Sequence, residues 1–300
     1  MVNRRLRVVA ALMPLVAGFI ASPMMLSAQS AAEQFKAGRA LMDSNKADAA
    51  VKAFEKAVAL DDKNSEYHLW LGNAVGTEAR NASVLRQPFL ARRVKAEFER
   101  AVQLDPASVG AREGLVTFYV QAPGVMGGSI PKAREQAEAI AKINAMRGHF
   151  SRAVIAGNQK DMAAVDREFR AAVAENPDSL VATSTFANYL ASSDHSDEAF
   201  ALIDKYLARH PGDVLATFWV GRLAAMTGLQ LERGEKALRE VLATPNLGGA
   251  ANQPAPFTVH FRLGDILAKR GDRVGARREY EKTLELNARY EPARKALKVL

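Results

Sequence analysis

The sequence predicts an all-α protein built from repeated helical hairpins. Ala, Leu, Glu, Lys and Arg dominate the 300 residues, and these residue types favour helices. Alternating runs of β-branched residues with hairpin turns, which would indicate strands, do not occur in the sequence. Small and large residues instead recur at helical spacing, and residues 146–179 and 180–213 repeat the pattern at one constant length.

The N-terminal segment, residues 1–30, predicts a secretory signal peptide. Three arginines, an apolar stretch and three small residues follow one another there: Arg4, Arg5, Arg7, residues 8–20, Ala28, Ser30 and Ala32. This order is typical of a signal peptide cleaved near residues 28–32. An uncleaved anchor is the alternative, because no charged residue lies between positions 8 and 32. Both interpretations predict export, either to the periplasm or to an inner-membrane site that faces the periplasm.

The remaining chain, residues 31–300, predicts one continuous stack of hairpins. The units lie near residues 31–64, 65–108, 109–145, 146–179, 180–213, 214–250 and 257–290, and residues 291–300 predict a closing helix. Each unit is too small to bury its own apolar face, so neighbouring units must supply the missing contacts. We therefore expect no second domain.

Small residues at positions 8 and 20 of a unit, and a large residue at position 24, predict where its two helices cross closely. These positions, with prolines that follow the second helix, are Gly38, Ala50, Phe54, Gly72, Phe98, Phe169, Pro177, Ala199, Pro211, Gly221, Gly264, Ala276 and Tyr280. The second unit has ten surplus residues within 77–93, which we expect to lengthen its turn or its second helix. In the sixth unit we expect four extra residues before Ala237 and Val241.

This pattern resembles the tetratricopeptide repeat, a helix-turn-helix of about 34 residues. The resemblance implies a right-handed α-solenoid of about seven hairpins with a C-terminal capping helix. It also implies a concave groove, lined mainly by the first helix of each hairpin, that binds a protein or peptide. The family's two-carboxylate clamp, a specific set of Lys, Asn and Arg residues over consecutive repeats, cannot be assembled from this sequence.

The resemblance also indicates which residues would face the groove. Positions 5 and 9 of the first helices supply aromatic anchors and polar groups suited to an extended peptide or a helix. These partner-binding candidates are Phe35, Arg39, Asn73, Phe150, Asn188, Phe218, Arg222, Phe261 and Asp265. The alternative for the phenylalanines is that they pack against the next unit.

Catalytic chemistry has little support in the sequence. The chain has no cysteine, so thiol nucleophiles, disulfides and thiolate metal sites are excluded. His68, His149 and His260 share position 4 of their units, which favours a packing role. Since neither GxSxG, GxxxxGK[ST] nor HExxH occurs, we predict a non-catalytic protein without a cofactor or a metal.

Two surfaces suggest other ligands. The string PGVMGG, residues 123–128, places glycine amides before a helix, which predicts either an anion site or simply a tight turn. Lys269, Arg270, Arg273, Arg277 and Arg278 form a basic C-terminal end. This end would touch a membrane surface or an acidic partner, or it would remain solvated. Without aromatic platforms it does not predict nucleic-acid binding. The sequence does not specify an oligomeric state.

Overall fold

The computed structural model describes residues 23–250 and 252–300, with side chains described from residue 30 onward. Within these ranges all regular structure is helical. The helices are α1 Pro23–Asp43, α2 Ala47–Leu60, α3 Ser65–Asn81, α4 Gln87–Leu104, α5 Val109–Gln121, α6 Ile130–Ile143, α7 Ala145–Asn158, α8 Met162–Glu175, α9 Leu180–Ser192, α10 Ser196–Arg209, α11 Val214–Thr227, α12 Leu231–Leu242, α13 Pro256–Lys269, α14 Arg273–Leu286 and α15 Glu291–Val299. The predicted all-α class is confirmed.

The chain forms two compact units that divide after Gly114, inside α5. In the first compact unit α1 pairs with α2, α3 pairs with α4, and α2 also packs on α3. In the second unit the consecutive helices from α6 to α15 pack against one another in chain order. Each unit therefore consists of helical hairpins that stack on their neighbours, as the repeat pattern predicts.

The first helices of three successive hairpins form one layer in the second unit. Helix α11 contacts both α9 and α13 directly, in addition to its hairpin partner α12. The core beneath this layer is continuous from α9 to α15. Its largest fully buried side chains include Phe200, Leu190, Ile203, Leu223, Leu238, Leu263 and Ile266. The same face of several hairpins is thus held on one shared core.

Glycine at position 8 allows the two helices of a hairpin to approach closely. A Cβ added to Gly38 would lie 2.5 Å from the Phe54 ring, and one added to Gly264 would lie 2.6 Å from the Tyr280 ring. Real Cβ atoms do not approach so closely, so only glycine fits there. Ala276 is also fully buried, as the repeat register expects of a small residue at position 20.

The sixth unit does not contain the four extra residues expected before Ala237. A Cβ on Gly221 would meet Leu238 at 2.3 Å, so Leu238 takes the place of the large position-24 residue one position late. Gly234, which lies four residues before Leu238, takes the place of the small position-20 residue and packs on Ala224. The one extra residue of this repeat is accommodated in the turn before α12, where Gln230 has a positive φ of 51°.

The surplus residues of the second repeat, residues 65–108, lengthen both helices of its hairpin. Helix α3 has 17 residues and α4 has 18, whereas α13 and α14 have 14 each. The connection spans residues 82–86, and Pro88 lies in the first turn of α4. The predicted longer second helix is therefore observed, together with a longer first helix.

The predicted signal segment lies mostly outside the described residues. The description begins with α1 at Pro23, and this helix continues without a break through the predicted cleavage region at residues 28–32. Within the described ranges, no helix combines the length and apolar character needed to cross a membrane.

Candidate functional site

The layer formed by α9, α11 and α13 carries a cluster of polar and aromatic side chains. We call Asn188, Trp219, Arg222, Arg262 and Asp265 the inner-face cluster. Asn188 comes from α9, Trp219 and Arg222 from α11, and the last two from α13. Because three successive first helices contribute to it, stacking of the hairpins is what assembles the cluster.

Arg222 lies at the centre of this cluster with few partners. Its guanidinium carbon lies 4.4 Å from the Trp219 ring centroid, and its Nη2 atom donates a long 3.4 Å hydrogen bond to Asn188 Oδ1. Its Nε atom is buried and has no hydrogen-bond partner. Among the described residues no carboxylate lies within ion-pair distance of Arg222. The cation is therefore stacked and partly desolvated without a counter-charge.

The surroundings of Arg222 disfavour its positive charge. Burial lowers the pKa of Arg222, and the nearby charge of Arg262 lowers it further. Tyr290 acts in the opposite direction but does not reverse the shift. An added anion would offset both costs, since it would supply an acceptor and a counter-charge at once.

Both carboxylate oxygens of Asp265, in contrast, already accept hydrogen bonds within the protein. Its two carboxylate oxygens accept hydrogen bonds of 3.0 Å from Arg262 Nη1 and from the Tyr280 hydroxyl. Burial raises the pKa of Asp265, although the Arg262 charge and the Tyr280 hydrogen bond oppose this. Asp265 therefore holds Arg262 beside Arg222 and is not free to receive a partner.

Arg39 in the first unit repeats the same chemistry at the same repeat position. Its guanidinium carbon lies 3.8 Å from the centroid of Trp70, and its Nε atom is likewise buried and unpaired. Both tryptophans of the chain thus carry a stacked arginine. Asn73, the position-9 candidate of the second repeat, is half-buried on α3.

The predicted aromatic anchors pack mainly inside the hairpins. Phe218 and Phe261 are each only 7% exposed, so the prediction that they line a free groove is wrong. Phe35 and Phe150 are half-buried and contact Phe54 and Phe169. Phe35, Phe150 and Phe261 fill the seam between the helices of their hairpins, because each ring lies within 6.0 Å of the ring at position 24.

Three histidines each contact a glutamate of the same hairpin, and the sequence did not predict these contacts. Nδ1 of His68, His149 and His260 lies 2.7 Å from an Oε2 atom of Glu97, Glu168 and Glu279 respectively. In each case the glutamate directly precedes the large position-24 residue. Their packing role thus includes a polar contact across the hairpin, which the Glu-aromatic pairs in the sequence could have indicated. Among the residues with described side chains, no group of acids and histidines could hold a metal ion.

The PGVMGG loop uses its amides internally. The amides of Met126, Gly127, Gly128 and Ser129 donate to carbonyls of Pro123, Gly124, Pro123 and Tyr119. Gly127 has φ 98°, and a Cβ on Gly128 would lie 1.8 Å from a carbonyl oxygen. These contacts favour the tight-turn interpretation, because four of the amides that an anion would need are already bonded.

The basic C-terminal end is only partly free. Arg270 pairs with Glu232 and Glu235 on the preceding hairpin. Lys269, Arg273 and the two arginines that follow on α14, at positions 277 and 278, are exposed. The predicted contact with a membrane surface remains a prediction.

Comparison with known proteins agrees with the repeat geometry. Residues 38–77 match a family model described as "TPR repeat", and this range contains Gly38, Phe54 and Gly72. The tetratricopeptide repeat is thus matched over residues 38–77. Proteins with this fold generally act as non-catalytic scaffolds for protein interaction. No curated protein matches the chain.

Several solved structures, two of which are described as tetratricopeptide repeat proteins, resemble this chain at low identity. A protein from Parabacteroides merdae is 14% identical, with 90% of this chain and 98% of that chain covered and a TM-score of 0.49. A protein from Thermus thermophilus is 19% identical, with coverages of 66% and 100% and a TM-score of 0.47. PilF from Pseudomonas aeruginosa is 13% identical, with coverages of 75% and 96% and a TM-score of 0.43.

Proposed function

We propose that this protein is a non-catalytic scaffold that binds an acidic segment of a partner protein across α9, α11 and α13. The observation that carries the proposal is Arg222, a partly buried cation stacked on Trp219 without a carboxylate partner. A carboxylate from the partner would accept from the guanidinium and neutralise the repulsion with Arg262. Asn188 would add an amide able to bond the partner's backbone.

We further propose that the scaffold works in the bacterial cell envelope. Support for this location comes from the amino-acid sequence of residues 1–32, with its arginines, apolar stretch and small residues. Separation of periplasm, membrane and cytoplasm from producing cells, followed by N-terminal sequencing, tests the location. Recovery of the intact chain from the cytoplasm would contradict it.

Photocrosslinking inside cells tests the partner-binding face. A photoreactive residue at Asn188 should capture a defined protein, which mass spectrometry of the adduct identifies. Arg222→Met keeps the aliphatic packing but removes the charge, so the yield of this adduct should fall by at least about tenfold. Circular dichroism should show an unchanged helix content.

Two controls decide the outcome. Arg277→Met removes an exposed arginine of α14 and should leave the crosslink unchanged. A photoreactive residue at Arg167, which is exposed on α8, should not capture the same protein. If the adduct forms equally from residue 167, or survives Arg222→Met at full yield, the proposed binding face is wrong.

A further inference from the structure

The lengthened hairpin of α3 and α4 ends in an apolar tip that the repeat fold does not require. Its connection carries Val84 and Leu85, and Phe89 follows in the first turn of α4. These side chains are 76%, 84% and 73% exposed. Leu90, the next residue along α4, is 8% exposed and belongs to the core, so the helix is anchored while the tip is not covered. We call residues 80–92 the hairpin tip.

The hairpin tip is also basic. Arg80, Arg86 and Arg92 are exposed, and no aspartate or glutamate occurs between residues 79 and 93. Glu78 pairs with Arg86 at 2.6 Å at the base of the tip. Apart from this one acid, the charge around the apolar side chains is positive.

We infer that the hairpin tip binds the surface of an anionic lipid bilayer. Exposed valine, leucine and phenylalanine side chains can enter the headgroup and acyl boundary, while arginines beside them pair with lipid phosphates. This contact is peripheral and leaves the hairpins outside the membrane. It is independent of the inner-face cluster, so either proposal can fail while the other holds.

The shape of the tip favours a bilayer over a protein. A bilayer accepts a projecting turn without a complementary surface, whereas a stable protein interface covers roughly 800 Å² on each partner with matched shape. Three side chains on one turn supply only part of such an area. The surplus of arginines matches an anionic lipid surface without any further ligand.

The test must report on the tip itself, because the apolar residues 8–20 could hold the full chain on a vesicle by themselves. The chain contains no cysteine, so Leu85→Cys provides a unique attachment point for an environment-sensitive fluorophore. Val274→Cys is the matched control, because Val274 is 74% exposed and lies beside Arg273 on α14. Both labelled full-length proteins are titrated with vesicles of phosphatidylcholine containing about 30% phosphatidylglycerol.

The expected result is a blue shift of the Leu85→Cys label with anionic vesicles and none with pure phosphatidylcholine. The Val274→Cys label should keep its aqueous emission. Replacing Arg80, Arg86 and Arg92 by glutamine should raise the half-saturating lipid concentration by at least about tenfold. Phe89→Ser should weaken the shift, with unchanged melting temperature because the side chain is exposed.

Three results would overturn the inference. The first is that the protein sediments with anionic vesicles while the Leu85→Cys label keeps its aqueous emission. The second is an equal shift of both labels. The third is capture of a defined protein by a photoreactive residue at Leu85 in cells, while vesicles leave the Leu85→Cys label unchanged.

Discussion

The carboxylate of Glu168 ties two neighbouring side chains to one point on the α7–α8 hairpin. Its Oε2 atom lies 2.7 Å from His149 Nδ1 and accepts a 3.0 Å hydrogen bond from Arg152 Nε. Burial alone would raise the pKa of Glu168, but the hydrogen bonds from His149 and Arg152 outweigh burial and lower it. The folded chain therefore favours the charged carboxylate.

Stability should consequently fall in acid through Glu168. The contribution of a carboxylate with a lowered pKa is present above its ordinary value of 4.5 and is lost as the pH falls through the lower folded value. Glu168→Gln should cost about 1 kcal/mol at pH 7, and this difference from the unchanged protein should shrink as the pH falls below 4.5 and through the lowered pKa of the folded state. Urea unfolding at several pH values measures both quantities.

Glu175→Gln is the matched control for this measurement. Glu175 lies on the same helix and is exposed. Its replacement should change the free energy of unfolding by less than about 0.5 kcal/mol at any pH. An equal effect of the two substitutions would show that the bonds to His149 and Arg152 do not stabilise the hairpin.

At the level of single helices, α12 shows how the repeat register tolerates one additional residue. Gly234 packs against Ala224, where an added Cβ would meet a methyl group at 2.3 Å. A strict count from Val214 would instead assign the small position to Arg233, which is half-buried and pairs with Asp204. Packing, not the residue count, thus sets the register of this hairpin.

Gly234→Val should therefore destabilise the protein strongly. The branched side chain would enter the space occupied by Ala224 and should cost at least about 1 to 3 kcal/mol. Arg233→Ala removes only a partly exposed ion pair and should cost less than about 1 kcal/mol. Thermal unfolding of both variants distinguishes these results, and equal effects would mean that Gly234 is not at the helix crossing.

The helices themselves could be predicted because each hairpin repeats the same small and large residues. The register of α12 could not be predicted, because glycine and leucine stand where the first and seventh units have alanine and an aromatic residue. The inner-face cluster was also only partly predictable. Arg222 and Asn188 follow from their repeat positions, whereas the burial of Phe218 depends on a core shared with the neighbouring helices, which no single unit specifies.

On the scale of the whole molecule, stability should be local. Within each of the two compact units, each hairpin contacts the hairpins next to it, and the shared core of α9 to α15 is built from these neighbour contacts. Phe54 is fully buried between α1 and α2 and also approaches Trp70 of α3, with ring centroids 6.2 Å apart. Tyr280 has the corresponding place between α13 and α14.

Hydrogen exchange should reveal this locality. Phe54→Ala should lower the local opening free energy of α1 to α3 by about 3 kcal/mol or more, because it leaves a cavity against Gly38. Protection of α13 and α14 should remain unchanged. Tyr280→Ala should give the reverse pattern, and a uniform loss of protection throughout the chain in either variant would contradict local stability.

Because the fifth repeat, residues 180–213, has the regular length, it could be deleted as a whole. Ser179 caps α9 by accepting from the Ala182 amide, and Asp213 caps α11 by accepting from the Ala216 amide three residues later in the same manner. A splice that joins Ser179 directly to Val214 therefore keeps a capping side chain at the junction and deletes one whole hairpin. Such a shortened chain would bring Arg222 beside α7 and change the recognition surface without redesigning a single contact within the remaining hairpins.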